Sequence, residues 1–181
     1  LLDTPICDFG KLASAFSLYD FDGRKHQMRA GEKGLLIAFI CNHCPYVKAI
    51  IDDFVSDADQ LIGEGVRVFA LMPNDYQNYR DDSPEKMKEF AKRHKMTFPY
   101  LVDETQKVAK AYGAVCTPDF FGYNQNLELQ YRGRLNDKNP SRTQDHHQNS
   151  ELLNAMRQII KTGHGPQTQH PSMGCSIKWR D

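Results

Sequence analysis

The sequence has no net charge, no long apolar run and no dense set of cysteines, and each absence excludes a class of protein. Lys and Arg balance Asp and Glu at 23 apiece, with a pI near 7.2. No global field therefore draws nucleic acid or an anionic membrane to the chain. The longest unbroken apolar stretch, Leu35 to Cys41, falls far short of the roughly 18 residues of a spanning helix, so no membrane insertion is expected. Five cysteines are too few, too unevenly spaced and odd in number for a disulfide-stapled secreted module. At least one thiol is left unpaired or pairs only transiently. No internal repeat or low-complexity tract is present. Leu1-Leu2-Asp3 shows neither Met nor a basic-then-apolar leader pattern, so either a leader has been removed or the first residues are missing. A cytoplasmic location is favoured, with an exported form left open.

At 181 residues the chain has the length of a single domain. Phe16 to Gly23 reads as a short strand running into an Asp-Gly turn. Leu35 to Ile40 is a continuous apolar run after Gly34, the pattern of a strand buried on both faces. Val47, Ile50, Ile51, Phe54, Val55, Ala58, Leu61 and Ile62 then recur at helical spacing up to Gly63 and Gly65. Val66 to Leu71 is a second buried strand, which closes a βαβ unit. Ser83 and Pro84 open a helix to His94 with Met87, Phe90 and Ala91 inward. Phe98 to Val102 predicts a strand, Gln106 to Tyr112 a helix, and Phe120–Tyr123 with Leu127–Tyr131 an antiparallel hairpin. Ser150 to Lys161 predicts a last helix. The polar stretch 136–151, with Asp137, Lys138, Arg142, Asp145, His146 and His147, predicts a functional or disordered loop. From Thr162 the glycines and prolines predict an irregular tail, pinned to the body by Ile177 and Trp179.

Cys41-Asn42-His43-Cys44 lies between the first strand and the long helix of the βαβ unit. Cysteines at i and i+3 of a helix start lie on one face of the first turn, close enough to bridge. The unpartnered N–H groups and positive dipole end there favour a thiolate on Cys41 and predict a depressed pKa, with His43 adding a titratable group beside it. The competing reading is half of a structural zinc site. It needs a second ligand pair, and Cys116 and Cys175 stand alone while His146 and His147 are adjacent, so no metal is expected. A CxxC motif inside a βαβ unit is a redox signature.

The order of elements, the CxxC that opens the first helix and Thr117-Pro118 before the third main strand resemble the thioredoxin fold. The runs ICNHCPYVK, NDYQNYRDDSPEKM, FPYLVDETQKVAKAYG, CTPDFF and PSMGCSIKWR resemble, more narrowly, the redoxins grouped with alkyl hydroperoxide reductase/thiol-specific antioxidant (AhpC/TSA) proteins. The resemblance runs from about Phe16 to Arg180. It implies a single α/β domain with a central mixed sheet flanked by helices, made of an N-terminal extension (1–33), a core (34–161) with a helical insert, and the tail (162–181). It also implies a cis Thr117–Pro118 bond facing the disulfide. Pro118 would keep the site open to substrate and exclude metal, and the Thr117 backbone would stay free to pair with an incoming substrate strand. Thioredoxin has a buried Asp six residues before its first Cys, where this chain has Leu35, so Asp103 or Glu104 is considered as the proton acceptor for Cys44.

The function implied is thiol–disulfide exchange, with Cys41 as nucleophile and Cys44 resolving. Its partners would be protein or small-molecule thiols and disulfides and an unidentified electron donor, with no organic cofactor. A peroxiredoxin-like peroxidase with Cys44 as the peroxidatic sulfur is the alternative. Cys44-Pro45 fits it, but the Thr such enzymes carry three residues earlier is Cys41. Arg132 or Arg134 would have to orient the peroxide. A metal- or cofactor-delivery protein on the same scaffold is a further alternative, with His164 and His170 in the tail. Cys116 is either a small buried hydrophobe or a third redox thiol. Cys175 is placed to reach back to Cys116 or Cys41. Cys7 has no assigned role, and Tyr46 either packs beside the disulfide or faces the core.

Overall fold

The structure, a computed structural model, describes residues 1–141 and 149–181. Strand β4 (Gly34–Phe39), in the interior of the main sheet, is buried along its whole length. Side chains of a strand alternate between faces, so one apolar run feeds two cores. Leu36, Ala38 and Ile40 enter the layer formed with α1 (Pro45–Gly63), α2 (Pro84–Arg93) and α4 (Glu151–Thr162). Leu35, Ile37 and Phe39 enter the opposite layer with Phe16, Phe69, Phe121 and Tyr112, the last of these on α3 (Lys107–Tyr112).

Among the described residues, seven strands form the main sheet in the order β3 (Lys25–Gln27), β2 (Ser17–Asp20), β6 (Tyr100–Val102), β5 (Val66–Met72), β4, β8 (Asp119–Tyr123), β9 (Leu129–Gly133). β4, β5 and β6 run parallel, while β2, β8 and β9 pair antiparallel with their neighbours. α1 packs the stripe Val47, Ile51, Phe54, Ala58 and Leu61 on this sheet, with Phe54 edge-on to Phe98. Each fully buried Val, Ile, Phe or Leu of this stripe contributes about 1.5–3 kcal/mol. Ser83 and Ser150 cap α2 and α4 by accepting from the N–H groups of Lys86 and Leu153.

The structure departs from the expected elements in several places. The N-terminal extension completes the sheet, because β2 pairs with β6. β6 begins at Tyr100 and not at Phe98. β9 begins at Leu129, because Leu127 takes a left-handed φ of 61° and the Asn124 side chain accepts from the N–H groups of Asn126 and Glu128, which lengthens the turn.

The tail is not irregular throughout. Met173–Ser176 form β10, held between β1 (Leu2–Asp3) and β7 (Cys116–Thr117) in a second, three-stranded sheet. Gly174 makes this approach possible, since a β-carbon there would overlap the Thr117 carbonyl oxygen. Ile177 is buried and its N–H reaches Val115 O at 3.2 Å, but Trp179 remains 40% exposed, under Lys110. Of that pair only Ile177 is buried.

In the polar stretch, Lys138 pairs with Asp53 at 2.6 Å, whereas Arg142, Asp145, His146 and His147 lie outside the described residues. Among the described residues no helix is long and apolar enough to cross a membrane.

Candidate active site

Where α1 starts decides the chemistry of the two cysteines. Pro45 occupies the first helical position, where its missing N–H costs nothing, and Cys44 is the extended N-cap (φ −66°, ψ 125°). Cys41, Asn42 and His43 therefore form a loop ahead of the helix. That loop is fastened to the turn at Arg80–Asp82. The Asn42 N–H donates to Asp82 Oδ1 at 2.8 Å, and the Asn42 side chain donates to Asp81 O at 3.0 Å. The hydroxyl of fully buried Tyr100 donates to Asn42 Oδ1 at 2.8 Å.

Three sulfurs meet at this point. Cys44 Sγ lies 2.9 Å from Cys175 Sγ and 3.3 Å from Thr117 O, while Cys41 Sγ lies 3.4 Å from Thr117 Oγ1. Cys41 and Cys44 are wholly buried, and Cys175 is partly exposed. A hydrogen bond from Cys41 is the main influence on Cys44. Against the opposing effect of burial, and helped by Cys175 and the free N–H of Val47, it brings the Cys44 thiol down to about 5. Cys41 moves the other way, because its proton is held on Cys44, it is buried, and the Asp82 charge lies nearby. The expected depression at Cys41 is thus reversed. Cys44, and not Cys41, sits on the helix end whose N–H groups stabilise a thiolate.

His43 and Asp82 complete the cluster. His43 Nδ1 is 2.6 Å from Asp82 Oδ2, and this pairing raises the imidazole pKa against the effect of partial burial. The fully buried Asp82 carboxylate also accepts from Asn74 Nδ2 at 2.9 Å, and Asn74 Oδ1 takes the Lys178 N–H of the tail. Neither Asp103 nor Glu104 reaches the sulfurs. Asp103 caps α3 through the N–H groups of Val108 and Ala109, and Glu104 bonds Tyr76 and Arg180. The carboxylate beside Cys41 is Asp82, a residue not among those expected from the sequence. Its only signal was the acidic pair ahead of Ser83-Pro84.

Donor atoms of Cys41, His43 and Asp82 lie within 4.8 Å of one another, so these three are the described residues that could share a metal ion. Asp82 is already engaged by Asn42, Asn74 and His43.

The Thr117–Pro118 bond is cis, but the edge next to it is not free. β10 pairs antiparallel with β7, with Cys175 opposite Thr117 and Ser176 opposite Cys116. The hydroxyl of Ser172 donates to Pro118 O at 2.7 Å, and Lys178 O accepts from Asp75 N–H and Gln106 Nε2. An open site and a free Thr117 backbone were expected, but the tail occupies that edge because residues 172–180 form a ladder of such bonds. A cleft of about 170 Å³ beside it is lined by Tyr46, Ile50, Pro118, Phe120, Ser172 and Met173, and touches none of the three sulfurs. Tyr46 is thus partly buried at the rim of this cleft.

The remaining candidates lie apart from the cluster. Cys116 is buried, with Sγ 3.7 Å from Pro118 O, and burial raises its thiol pKa strongly. Its strand neighbour Thr117 turns toward Cys41, so Cys116 points to the other face. Cys7 is pushed up to about 11 by burial. Arg132 is spent on buried Asp119 at 2.9 Å and on Gly113 O, and it stacks on Phe121. Arg134 pairs with Glu151.

Residues 9–137 match the profile of the AhpC/TSA family. An uncharacterized conserved protein from Geobacillus kaustophilus is 38% identical, with a TM-score of 0.89 over 99% of this chain and 96% of that one. A hypothetical protein from Sinorhizobium meliloti is 36% identical, with a TM-score of 0.91 over 98% and 97%. The thioredoxin domain of a thiol-disulfide oxidoreductase from Bacteroides vulgatus shares the fold at 14% identity, with a TM-score of 0.62 over 84% and 97%. No curated protein sequence matches the chain significantly.

Proposed function

The chain belongs to the AhpC/TSA family, and on that premise we propose that it is a thiol–disulfide oxidoreductase whose dithiol is Cys41 and Cys44, with Cys44 the reactive sulfur. The observation that carries this reading is the environment of Cys44. Its thiol is brought down to about 5 at a helix N-cap, chiefly by Cys41, with the Cys175 sulfur at 2.9 Å and Thr117 O at 3.3 Å.

In the reducing direction, the Cys44 thiolate takes one sulfur of a substrate disulfide and expels the other as a thiolate. Cys41 then gives up its proton, for which the buried Asp82 carboxylate is the adjacent acceptor. It attacks Cys44 Sγ and releases the second substrate thiolate, leaving a Cys41–Cys44 disulfide. Two electrons pass from the dithiol to the substrate, and an external thiol returns them. The reverse sequence oxidises a substrate dithiol.

Sustained peroxide turnover is less well supported. It needs a guanidinium beside the reacting sulfur, and both arginines considered for that part are held by carboxylates elsewhere. A sulfenic acid on Cys44 would also meet a thiol at once. The test is to oxidise the reduced protein with glutathione disulfide and, separately, with hydrogen peroxide, and to map the bonds formed. Faster exchange with glutathione disulfide and a Cys41–Cys44 bridge is the expected result. A faster peroxide reaction, lost in Cys44→Ser and kept in Cys41→Ser, would make the protein a peroxidase.

A further inference from the structure

Cys41 and Cys44 are both 0% exposed, so direct reaction of a substrate with them is slow while the tail is in place, and a more exposed sulfur offers the faster route. Of the three clustered sulfurs only Cys175 belongs to a partly exposed residue. Its position is fixed by pairing rather than by chance contact. Cys175 stands opposite Thr117 in the β10–β7 ladder, on the edge where an extended substrate would add as a strand. There its Sγ lies 2.9 Å from Cys44 Sγ, only about 0.9 Å beyond a bonded sulfur pair. The tail therefore imitates a substrate strand and carries its own thiol into the site.

We propose that Cys175 is the exchange port of this protein: it reacts with low-molecular-weight disulfides at the surface and relays oxidation to the buried Cys44–Cys41 pair. This rests on the dithiol reading above. In the first step Cys175 attacks an external disulfide RSSR. Its proton crosses the 2.9 Å contact to Cys44 and is then given to the departing RS⁻, so that Cys175–S–SR and RSH are formed. In the second step the Cys44 thiolate attacks Cys175 Sγ, a Cys44–Cys175 disulfide forms and the second RS⁻ leaves. In the third, Cys41 loses its proton to Asp82 and attacks Cys44 Sγ. A Cys41–Cys44 disulfide results, and Cys175 leaves as a thiolate that recovers a proton. One RSSR has become two thiols and one dithiol one disulfide, so the electrons balance.

The placement also restricts the substrate. A polypeptide that binds by strand addition meets an edge already filled by β10, whereas a small disulfide needs only to reach the partly exposed Cys175.

The full chain, treated with glutathione disulfide and quenched at intervals for peptide mapping, tests this. Wild type should end as Cys41–Cys44. Cys41→Ser should accumulate Cys44–Cys175, Cys44→Ser should carry glutathione on Cys175, and Cys175→Ser should oxidise at least tenfold more slowly yet still reach Cys41–Cys44. Oxidation of Cys175→Ser at the wild-type rate, or a Cys41→Ser protein with glutathione on Cys44 beside a free Cys175, would overturn the relay while leaving the dithiol reading intact. A wild-type protein that forms no Cys41–Cys44 bond would overturn both.

Discussion

Replacing Cys41 with Ala removes the largest single influence on the Cys44 thiol, the hydrogen bond from the Cys41 thiol. With Cys44 titrating near 5, about 99% of it is thiolate at pH 7, against about 3% for a free thiol of pKa ~8.5, roughly a thirtyfold difference. The titration is read from the ultraviolet absorbance of the thiolate and from alkylation of the reduced protein across pH 4 to 9, with the modified cysteine identified by mass spectrometry. Restricted access of the reagent slows alkylation by the same factor at every pH, so the midpoint still reads the ionisation of the thiol. In Cys41→Ala the midpoint should rise by about one unit or more, because burial then opposes the charge with one donor fewer. Cys41→Ser keeps an O–H donor and should lie nearer to wild type. Between pH 5 and about 8.5 the unfolded chain holds a proton that native Cys44 has lost, so this group makes the fold more stable as pH rises through that window and its contribution fades toward pH 5. A wild-type midpoint near 8.5, or a low midpoint that maps to Cys41, would refute the assignment of the reactive sulfur.

Three further perturbations separate the site from its frame. Arg132→Leu leaves the buried Asp119 carboxyl, already pushed up to about 6 by burial, without its partner. Urea denaturation should show a loss of about 3–5 kcal/mol. Native Asp119 keeps its proton up to about 6 while the unfolded chain has lost it, so this group's contribution falls as pH rises through that range. Asp82→Asn should lower the His43 pKa seen by NMR, because pairing with Asp82 is the main cause of its rise. It should also ease ionisation of Cys41; an unmoved His43 would place Asp82 outside the cluster. Gly174→Ala should force β10 off Thr117 at a cost of about 1–3 kcal/mol and speed alkylation of Cys44. Unchanged protection of Cys44 would show that the tail is not what covers it.

Much of the frame was legible in the chain because short-range rules govern it. The continuous run Leu35–Ile40 is a strand buried on both faces, and Ser83-Pro84 is a cap followed by a first-turn proline. A CxxC between strand and helix marked the chemistry. Which of the two cysteines ionises was not legible, since that turned on where the helix begins. Pro45 fixed the start one residue after Cys44, so the N–H groups serve Cys44 and leave Cys41 beside a buried carboxylate.

Asp82 is invisible as a site residue in the sequence because 40 positions separate it from Asn42, whose N–H it accepts. The tail shows the same limit most plainly. Its glycines and prolines describe a segment with no preferred local structure, and by local rules it has none. It becomes a strand only because Thr117 offers an unpaired edge, Gly174 lacks the β-carbon that would collide with it, and Asn74 and Gln106 hold Lys178 in place. The sequence determined the sheet, the helices and the redox motif through patterns that span a few turns or a strand. The contacts of Cys44 with Thr117 and Cys175 span more than 70 residues, and only the folded chain brings the third sulfur to the pair.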